Sequence, residues 1–268
     1  MRRSGSTLVF QITRALLEAK GDLDVVNPKE GLGVPLDQIS SIAANSRPIL
    51  TKIHTIPKAQ RPFLPRQNAK YIYTARDPRD AVASLIRKGR VDVLDTTRVG
   101  LALDIAKKEL TGAKIYSQMP DLWTGFYEEF VDNIPALISA LAKFLDVTVD
   151  QEWIEKLAVD LDIDKQRERS LAINSDPGIR VETRLTSNHI TDGRVGSWRE
   201  TLTETEVSDV ERIFFHWMLR NGYRPSILRV PGKISIVSVL RYVKSLVVYY
   251  YLSVRRAQPR FSNTDRHI

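Results

Sequence analysis

The sequence predicts an α/β fold in which a P-loop-like parallel sheet is flanked by helices on both faces. Residues 48–54 and 70–75 have the apolar, aromatic and β-branched composition of strands. Because these strands alternate with segments of helical periodicity, a parallel sheet covered by helices is the expected architecture. The predicted helices cover residues 8–18, 99–111, 133–145, 151–172 and 203–221.

Capping signals mark the start of three helices. Asp77 precedes Pro78, which is typical of an N-cap followed by the first helical residue. Thr203 and Glu206 have the spacing of a capping box. Ser4 or Ser6 is the expected cap of the first helix.

The net charge of +8 comes almost entirely from the C-terminal part of the chain. Residues 226–268 contain eight Lys and Arg and one Asp, a net charge of +7, which leaves +1 for residues 1–225. A basic face that binds nucleic acid is therefore not expected. We predict a globular domain over residues 1–225 and a basic amphipathic helix and tail over residues 226–268.

The composition excludes several kinds of site. The chain has no cysteine, which excludes disulfides, thiol nucleophiles and Cys-ligated zinc, and its four histidines are not closely paired. No metal site is therefore expected. The apolar run at residues 8–10 is too short for a signal peptide, so a cytoplasmic location is predicted.

Arg3-Ser4-Gly5-Ser6-Thr7 is a candidate anion-binding loop at the start of a helix. Backbone N–H groups at a helix N-terminus bind phosphate or sulfate, and glycine permits close approach. The alternative is a basic segment with an ordinary helix cap. The loop also lacks the lysine of the nucleotide-triphosphatase motif G-x-x-x-x-G-K-[ST].

Lys52 and His54 lie at the end of the first predicted strand. Strand alternation places both side chains on one side of that strand. The carboxyl ends of parallel strands are where α/β enzymes place their sites. The alternative is that two polar residues enter a loop.

The second predicted strand delivers Arg76 to the same edge of the sheet. Ser84 lies eight residues later, about two turns into the next helix. Together these two side chains would hold a phosphate. Alternatively, Arg76 only pairs with Asp80. Further along, residues 193–199 combine two glycines, a tryptophan and two cations, which would wrap a nucleotide or form a surface turn around a packed tryptophan.

Together and in this order, these segments resemble the PAPS-dependent sulfotransferases, specifically the cytosolic-type sulfotransferase domain (PAPS is 3′-phosphoadenosine 5′-phosphosulfate). The resemblance covers roughly residues 1–225. The matched segments are residues 3–7 for the phosphosulfate loop P-K/R-S-G-T-T, residues 52–54 for K-T-H, Arg76, Pro78, Asp80 and Ser84 for the 3′-phosphate motif R-x-P-x-D-x-x-x-S, residues 126–129 for F-Y-E-D, and Gly193, Gly196 and Trp198 for the late loop R-K-G-x-x-G-x-W.

The resemblance implies sulfuryl transfer from PAPS to an acceptor hydroxyl or amine, with PAP as the product and no metal. The acceptor would be a small molecule, a carbohydrate or a lipid. The resemblance also implies that His54 is the general base and that Lys52 and Arg3 stabilise the transferring group. The implied nucleotide-binding residues are Arg3, Ser4, Gly5, Ser6 and Thr7 at the 5′-phosphosulfate, Arg76, Ser84 and the backbone of Gly193 at the 3′-phosphate, Tyr127 at the adenine, and Arg194 in the late loop.

The chain departs from the family pattern in three places. Position 3 is Arg where many members have Lys, which keeps the charge but changes the geometry. The family's first strand precedes the phosphosulfate loop, whereas this sequence starts at the loop, so we expect the first strand of the sheet to be missing. Thr191 and Asp192 stand where the family has Arg-Lys. Arg194 and Arg184 are the candidates to replace the lost 3′-phosphate cation.

Two other functions fit parts of the sequence. A P-loop small-molecule kinase shares the strand–loop–helix arrangement, although the P-loop lysine and a clear magnesium-binding Asp after a strand are absent from the sequence. An inactive, truncated homologue that binds a membrane or a polyanion is the other alternative, favoured by the short N-terminus and the basic tail.

Residues 234–254 form a predicted apolar helix with a narrow polar stripe. The length would span a bilayer, but Arg241 and Lys244 near its centre would cost roughly 2.5–3.5 kcal/mol each on insertion, so spanning is not expected. Two placements remain. The helix docks on the domain with its cations at the rim, or it makes peripheral contact with a membrane near anionic lipid.

Overall fold

A computed structural model describes residues 3–26, 47–54, 58–88, 110–176, 178–179, 183–186, 190 and 193–226 of the 268-residue chain. It contains two compact units, Met1–Glu206 and Val207–Ile268. The predicted helix over residues 234–254 and most of the one over residues 99–111 lie outside the described residues. The predicted domain boundary at residue 225 stays a prediction.

Two pairs of short parallel strands lie in the first unit. Strand β1 (Asp24–Val26) pairs with β2 (Ile49–Thr51), and β3 (Tyr71–Ala75) pairs with β4 (Leu122–Phe126). The second register aligns Tyr71 with Leu122 and Ala75 with Phe126. Because parallel strands share one carboxyl edge, the residues that follow β3 and β4 emerge side by side.

The first two helices follow the candidate motifs directly. Helix α1 (Ser6–Lys20) buries an apolar stripe that includes Ile12 and Leu16. Helix α2 (Pro78–Arg87) begins as predicted, because an Asp77 carboxylate oxygen accepts the N–H of Arg79 and Pro78 occupies the first turn. A short 3₁₀ helix, Lys58–Phe63, lies between β2 and β3.

The next helices form the main apolar core with α1. They are α3 (Tyr127–Phe130), α4 (Ile134–Leu145) and α5 (Gln151–Asp160). Helix α6 (Ile163–Ala172) follows them in the chain. Helix α4 packs against both α1 and α5, and its Ile138 and Leu141 are fully buried. The prediction of one helix over residues 151–172 is wrong, because the Asp162 side chain accepts the N–H of Asp164 and caps a separate helix.

The described chain ends with α7 (Trp198–Thr201) and α8 (Glu204–Arg220). The predicted capping box at the start of α8 is confirmed. The Thr203 N–H donates to Glu206 Oε2 at 2.8 Å, and the Glu206 N–H donates to Thr203 Oγ1 at 3.3 Å. In the second unit, the Glu211 carboxylate accepts the N–H of Ser226 at 2.7 Å. No helix in the described part of the chain has the length and apolarity to cross a membrane.

Candidate functional site

The loop before α1 requires glycine at position 5. Gly5 precedes α1 with φ 73°, a left-handed conformation that side chains other than glycine rarely adopt. A Cβ atom there would lie 2.8 Å from the Phe130 ring and 3.1 Å from Tyr127 Cδ2. The backbone at the start of α1 is therefore held close to two aromatic rings, and the first N–H groups of a helix can bind an anion.

The prediction that Ser4 or Ser6 caps α1 is wrong. Gly5 occupies the N-cap position, and no side chain caps the helix. Ser4 is buried, and its hydroxyl instead lies 2.7 Å from Thr74 Oγ1 and 3.1 Å from the Thr74 carbonyl oxygen. Ser4 therefore fixes the loop to strand β3.

Arg3 and Ser84, which lie 81 positions apart in sequence, are brought together. The Arg3 Nε donates to Ser84 Oγ at 2.8 Å, and Ser84 is buried in α2. The structure thus joins the two segments that the sequence assigned to the two phosphate groups of one nucleotide. A ligand bound between them would meet a guanidinium and a hydroxyl, both good partners of phosphate oxygens.

Arg76, directly after β3, connects both candidate nucleotide loops. Its guanidinium donates to the Arg3 carbonyl oxygen at 3.2 Å and to the Arg194 carbonyl oxygen at 2.6 Å. It also lies 4.2 Å from the centre of the Tyr127 ring and 3.8 Å from an Asp80 oxygen. The pair with Asp80 that the sequence offered as the alternative is therefore present. The role of Arg76 in binding the 3′-phosphate stays a prediction.

Tyr127 makes the next contact with the late loop. Its hydroxyl donates to the Gly193 carbonyl oxygen at 2.7 Å. Gly193 has φ 71°, and a Cβ atom there would lie 2.4 Å from Ile163 Cδ1. Glycine is therefore required at this position as well, for reasons of space and of backbone conformation. The predicted contact between Tyr127 and adenine stays a prediction.

Asp80 has a role that the sequence did not reveal. Its carboxylate accepts the N–H of Gly196 at 2.7 Å, the N–H of Trp198 at 2.9 Å and the hydroxyl of Ser197 at 3.2 Å. Asp80 therefore holds the late loop against α2. The sequence contains an Asp in the first turn of a helix and a distant Gly-x-x-Gly-x-Trp segment. Only the fold shows that the two are in contact.

Other side chains of α2 reinforce this attachment. The Arg87 guanidinium donates to Ser197 Oγ at 3.0 Å and to Thr201 Oγ1 at 2.6 Å. The Arg79 guanidinium lies 4.2 Å from the centre of the Trp198 ring. The sequence allowed Trp198 either to wrap a nucleotide or to pack in a surface turn. In the structure its side chain is buried and packs against Arg79 of α2.

Lys52 lies just beyond the end of β2 and contacts the loop before α1. Its Nζ donates to Thr7 Oγ1 at 2.5 Å. Burial of the ammonium group lowers the pKa of Lys52 to about 7, although the residue as a whole is half-buried. Nearby positive charges add to this lowering, in the order Arg184, Arg3 and Lys88.

The expected strand over residues 48–54 is shorter in the structure, because β2 ends at Thr51. Lys52 and His54 therefore lie beyond the strand, and alternation does not decide which side they face. Lys52 points to Thr7, whereas His54 is exposed. The role of His54 as general base stays a prediction.

The backbone and the side chain of Arg194 make contacts with different parts of the chain. Its carbonyl oxygen accepts from Arg76, but its guanidinium pairs with Glu200 at 2.8 Å. Both of these paired side chains are more than half exposed. The Arg194 cation thus lies at the surface of the late loop.

The family model described as "Sulfotransferase domain" matches residues 1–222. The chain belongs to this sulfotransferase family. A comparison with curated proteins finds no match.

Solved structures support the fold of this sulfotransferase. Retinol dehydratase with androsterone and the inactive cofactor PAP is 18% identical with a TM-score of 0.53, covering 81% of this chain and 78% of that one. Its complex with retinol and PAP is 17% identical with a TM-score of 0.54, covering 81% of this chain and 79% of that one. Mouse sulfotransferase SULT7A1 with PAP is 18% identical with a TM-score of 0.54, covering 76% of this chain and 78% of that one. At these identities the similarity shows a shared α/β fold with short parallel strands and flanking helices.

Proposed function

We propose that the chain transfers a sulfuryl group from PAPS to an acceptor hydroxyl or amine. The observation that carries this proposal is the hydrogen bond from Arg3 to Ser84, which joins the glycine loop before α1 to helix α2 at a buried position. Membership of the sulfotransferase family over residues 1–222 supports the same reaction. So does the fold shared with proteins crystallised with PAP.

The residues present fit an anionic adenine nucleotide. The buried Nε of Arg76 has no hydrogen-bond partner within the described part of the chain. The first N–H groups of α1, directly after Gly5, can bind an anion. The residues that would hold the nucleotide are then Arg3, Ser4, Gly5, Ser6 and Thr7 at the 5′-phosphosulfate, Arg76, Ser84 and the backbone of Gly193 at the 3′-phosphate, Tyr127 at the adenine, and Arg194 in the late loop. PAPS, when bound, supplies the sulfuryl group.

The chain's own residues would divide the remaining work. His54 removes the acceptor proton, a role that suits histidine because the ordinary pKa of an imidazole is close to neutral pH. Arg3 and Lys52 stabilise negative charge at the transfer point and on the departing phosphate. Lys52 in its protonated form is the better partner for that charge. Asp80 holds the late loop in place and does not take part in the chemistry.

The acceptor that we propose is a molecule with a hydroxyl or amine, drawn from small molecules, carbohydrates and lipids. Retinol dehydratase, which shares this fold, has been crystallised with androsterone and with retinol, which supports a small-molecule acceptor. Cytoplasmic location and peripheral membrane contact through residues 234–254 belong to the same proposal. Flotation with anionic vesicles tests that contact, and no co-flotation would contradict it.

Calorimetry with PAP and ATP tests the nucleotide specificity. We expect PAP to bind and ATP to bind more weakly or not at all, whereas binding of ATP alone would support a kinase. Ser84→Ala should weaken PAP by about tenfold and leave adenosine 5′-phosphate unchanged, since one hydrogen bond to a charged group is lost. A screen for PAPS-dependent transfer then tests the reaction itself.

A further inference from the structure

We propose that Arg184 binds the 5′ end of the nucleotide, where the phosphosulfate of the donor would lie. This inference rests on the proposed function and adds a binding residue that no matched motif contains. The sequence left Arg184 and Arg194 as candidates for the 3′-phosphate. The structure favours the opposite end of the nucleotide for Arg184.

The position of Arg184 follows from the face of α1 on which it lies. Thr7 and Phe10 are three residues apart and therefore neighbours on that helix. Lys52 donates to Thr7 at 2.5 Å, and the Arg184 guanidinium carbon lies 5.5 Å from the centre of the Phe10 ring. The ring that Arg184 covers thus belongs to a residue one helical turn from Thr7, whose hydroxyl is assigned to the 5′-phosphosulfate.

The segment that carries Arg184 is attached to α1 by a buried hydrogen bond. Gln11, four residues after Thr7, donates through Nε2 to the Thr183 carbonyl oxygen at 2.9 Å. Leu185, the next residue after Arg184, is 2% exposed. The backbone on both sides of the arginine is therefore fixed.

A second contact ties the same segment to α2. The Lys88 Nζ donates to Thr186 Oγ1 at 2.5 Å, and Ser170 of α6 donates to the Thr186 carbonyl oxygen at 3.0 Å. Lys88 follows Ser84 by one helical turn. Arg184 and Lys88 also lie close enough to Lys52 to lower its pKa. Cations from three separate segments therefore lie near the contact between Lys52 and Thr7.

The Arg184 side chain has a buried hydrogen-bond donor that an anion could accept from. Its Nε is buried and has no hydrogen-bond partner among the residues that the structure describes. A guanidinium remains charged in proteins, and a desolvated cation is stabilised by an anionic partner. Its backbone has φ 61°, a left-handed conformation that is disfavoured for arginine and is often found at binding sites.

Arg194 differs from Arg184 in each of these respects. Its guanidinium is paired with Glu200 through two nitrogens, at 2.8 and 3.1 Å, on the exposed side of the late loop. The Arg184 guanidinium instead lies over a buried ring of α1. Of the two arginines, Arg184 is the one whose guanidinium lies against a ring of α1 and close enough to Lys52 to lower its pKa.

Three nucleotides distinguish the two ends of the site. We would measure the affinities of PAP, adenosine 5′-phosphate and adenosine 3′-phosphate by calorimetry for the wild type and for Arg184→Gln. We expect Arg184→Gln to weaken PAP and adenosine 5′-phosphate by about tenfold or more and to leave adenosine 3′-phosphate unchanged. Arg167→Gln, which removes a partly exposed cation of α6, is the control and should bind all three as the wild type does.

Arg184→Gly is the second variant, because glycine suits the left-handed backbone at this position and removes the same charge. It should show the same selective loss. An equal loss for adenosine 3′-phosphate, or no loss for any nucleotide in either variant, would overturn the role of Arg184. Failure of the wild type to bind PAP would instead overturn the proposed function, and this inference with it.

Discussion

Arg76 and Asp80 form an ion pair with 3.8 Å between nitrogen and oxygen, and their side chains are only 4% and 1% exposed. The same carboxylate accepts the N–H groups of Gly196 and Trp198. Asp80 therefore balances a buried cation and holds the late loop at the same time. Both functions depend on its negative charge.

We predict that Asp80→Asn lowers the free energy of unfolding by about 3–5 kcal/mol, since it leaves a buried guanidinium without its counter-charge. Urea denaturation measures this loss. The control is Asp160→Asn, because Asp160 pairs with Arg169 at a half-exposed position and should cost at most about 1 kcal/mol. Equal losses in the two variants would contradict the special role of Asp80.

Replacement of Gly5 by alanine should damage both stability and PAP binding. The added Cβ would meet the Phe130 ring at 2.8 Å in a left-handed backbone, and we expect a loss of about 1–3 kcal/mol in the free energy of unfolding. Gly112→Ala is the matched control, because among the described residues no atom beyond its own helix and chain neighbours lies within 4 Å of a Cβ at that position. A Gly5→Ala protein that binds PAP as the wild type does would show that the loop tolerates the change.

The lowered pKa of Lys52 predicts that PAP binding depends on pH. With a pKa of about 7, Lys52 is half protonated at neutral pH in the free protein, and a bound anion favours the protonated form. The association constant should therefore fall by up to about tenfold per pH unit above pH 7, with uptake of a proton on binding. Calorimetry in buffers of different ionisation enthalpy measures that uptake.

Lys52→Arg serves as the control, since a guanidinium keeps its charge over this range. Its PAP affinity should be nearly constant between pH 7 and pH 9. A wild-type affinity that is equally constant would mean that Lys52 is already protonated in the free protein.

His54→Ala should lower kcat by about 10²–10⁴-fold, the usual contribution of a general base, with little change in the affinity for PAP. Steady-state kinetics with PAPS and calorimetry with PAP separate the two effects. His216→Ala, at an exposed position of α8, is the control. Wild-type turnover in His54→Ala would assign the proton transfer to another group.

Local signals predicted the elements that frame the site. Asp77 and Pro78 start α2 as expected, and Thr203 and Glu206 form the expected capping box, because these interactions involve residues close in sequence. Segments assigned to one nucleotide also meet, as the Arg3–Ser84 hydrogen bond shows. Here the motif combination gave the grouping that no single motif provides.

Long-range partners were not predictable in the same way. Ser4 is of a residue type that commonly caps helices, but its buried hydroxyl bonds to Thr74 on β3, 70 positions away. Asp80 gathers donors from more than 100 positions away. Arg184 belongs to no matched segment, and only the docking of its neighbours on α1 places it near Lys52. Such contacts depend on tertiary packing, which periodicity and propensity do not encode.

Tyr127 serves three distant parts of the chain with one side chain. Its ring limits the space at Gly5 and lies against Arg76, and its hydroxyl is bonded to Gly193. A replacement in any of these segments therefore alters the surroundings of the other two. These segments should accept change only in concert, so an engineer who transplants the late loop must transplant its tyrosine and its glycines as well.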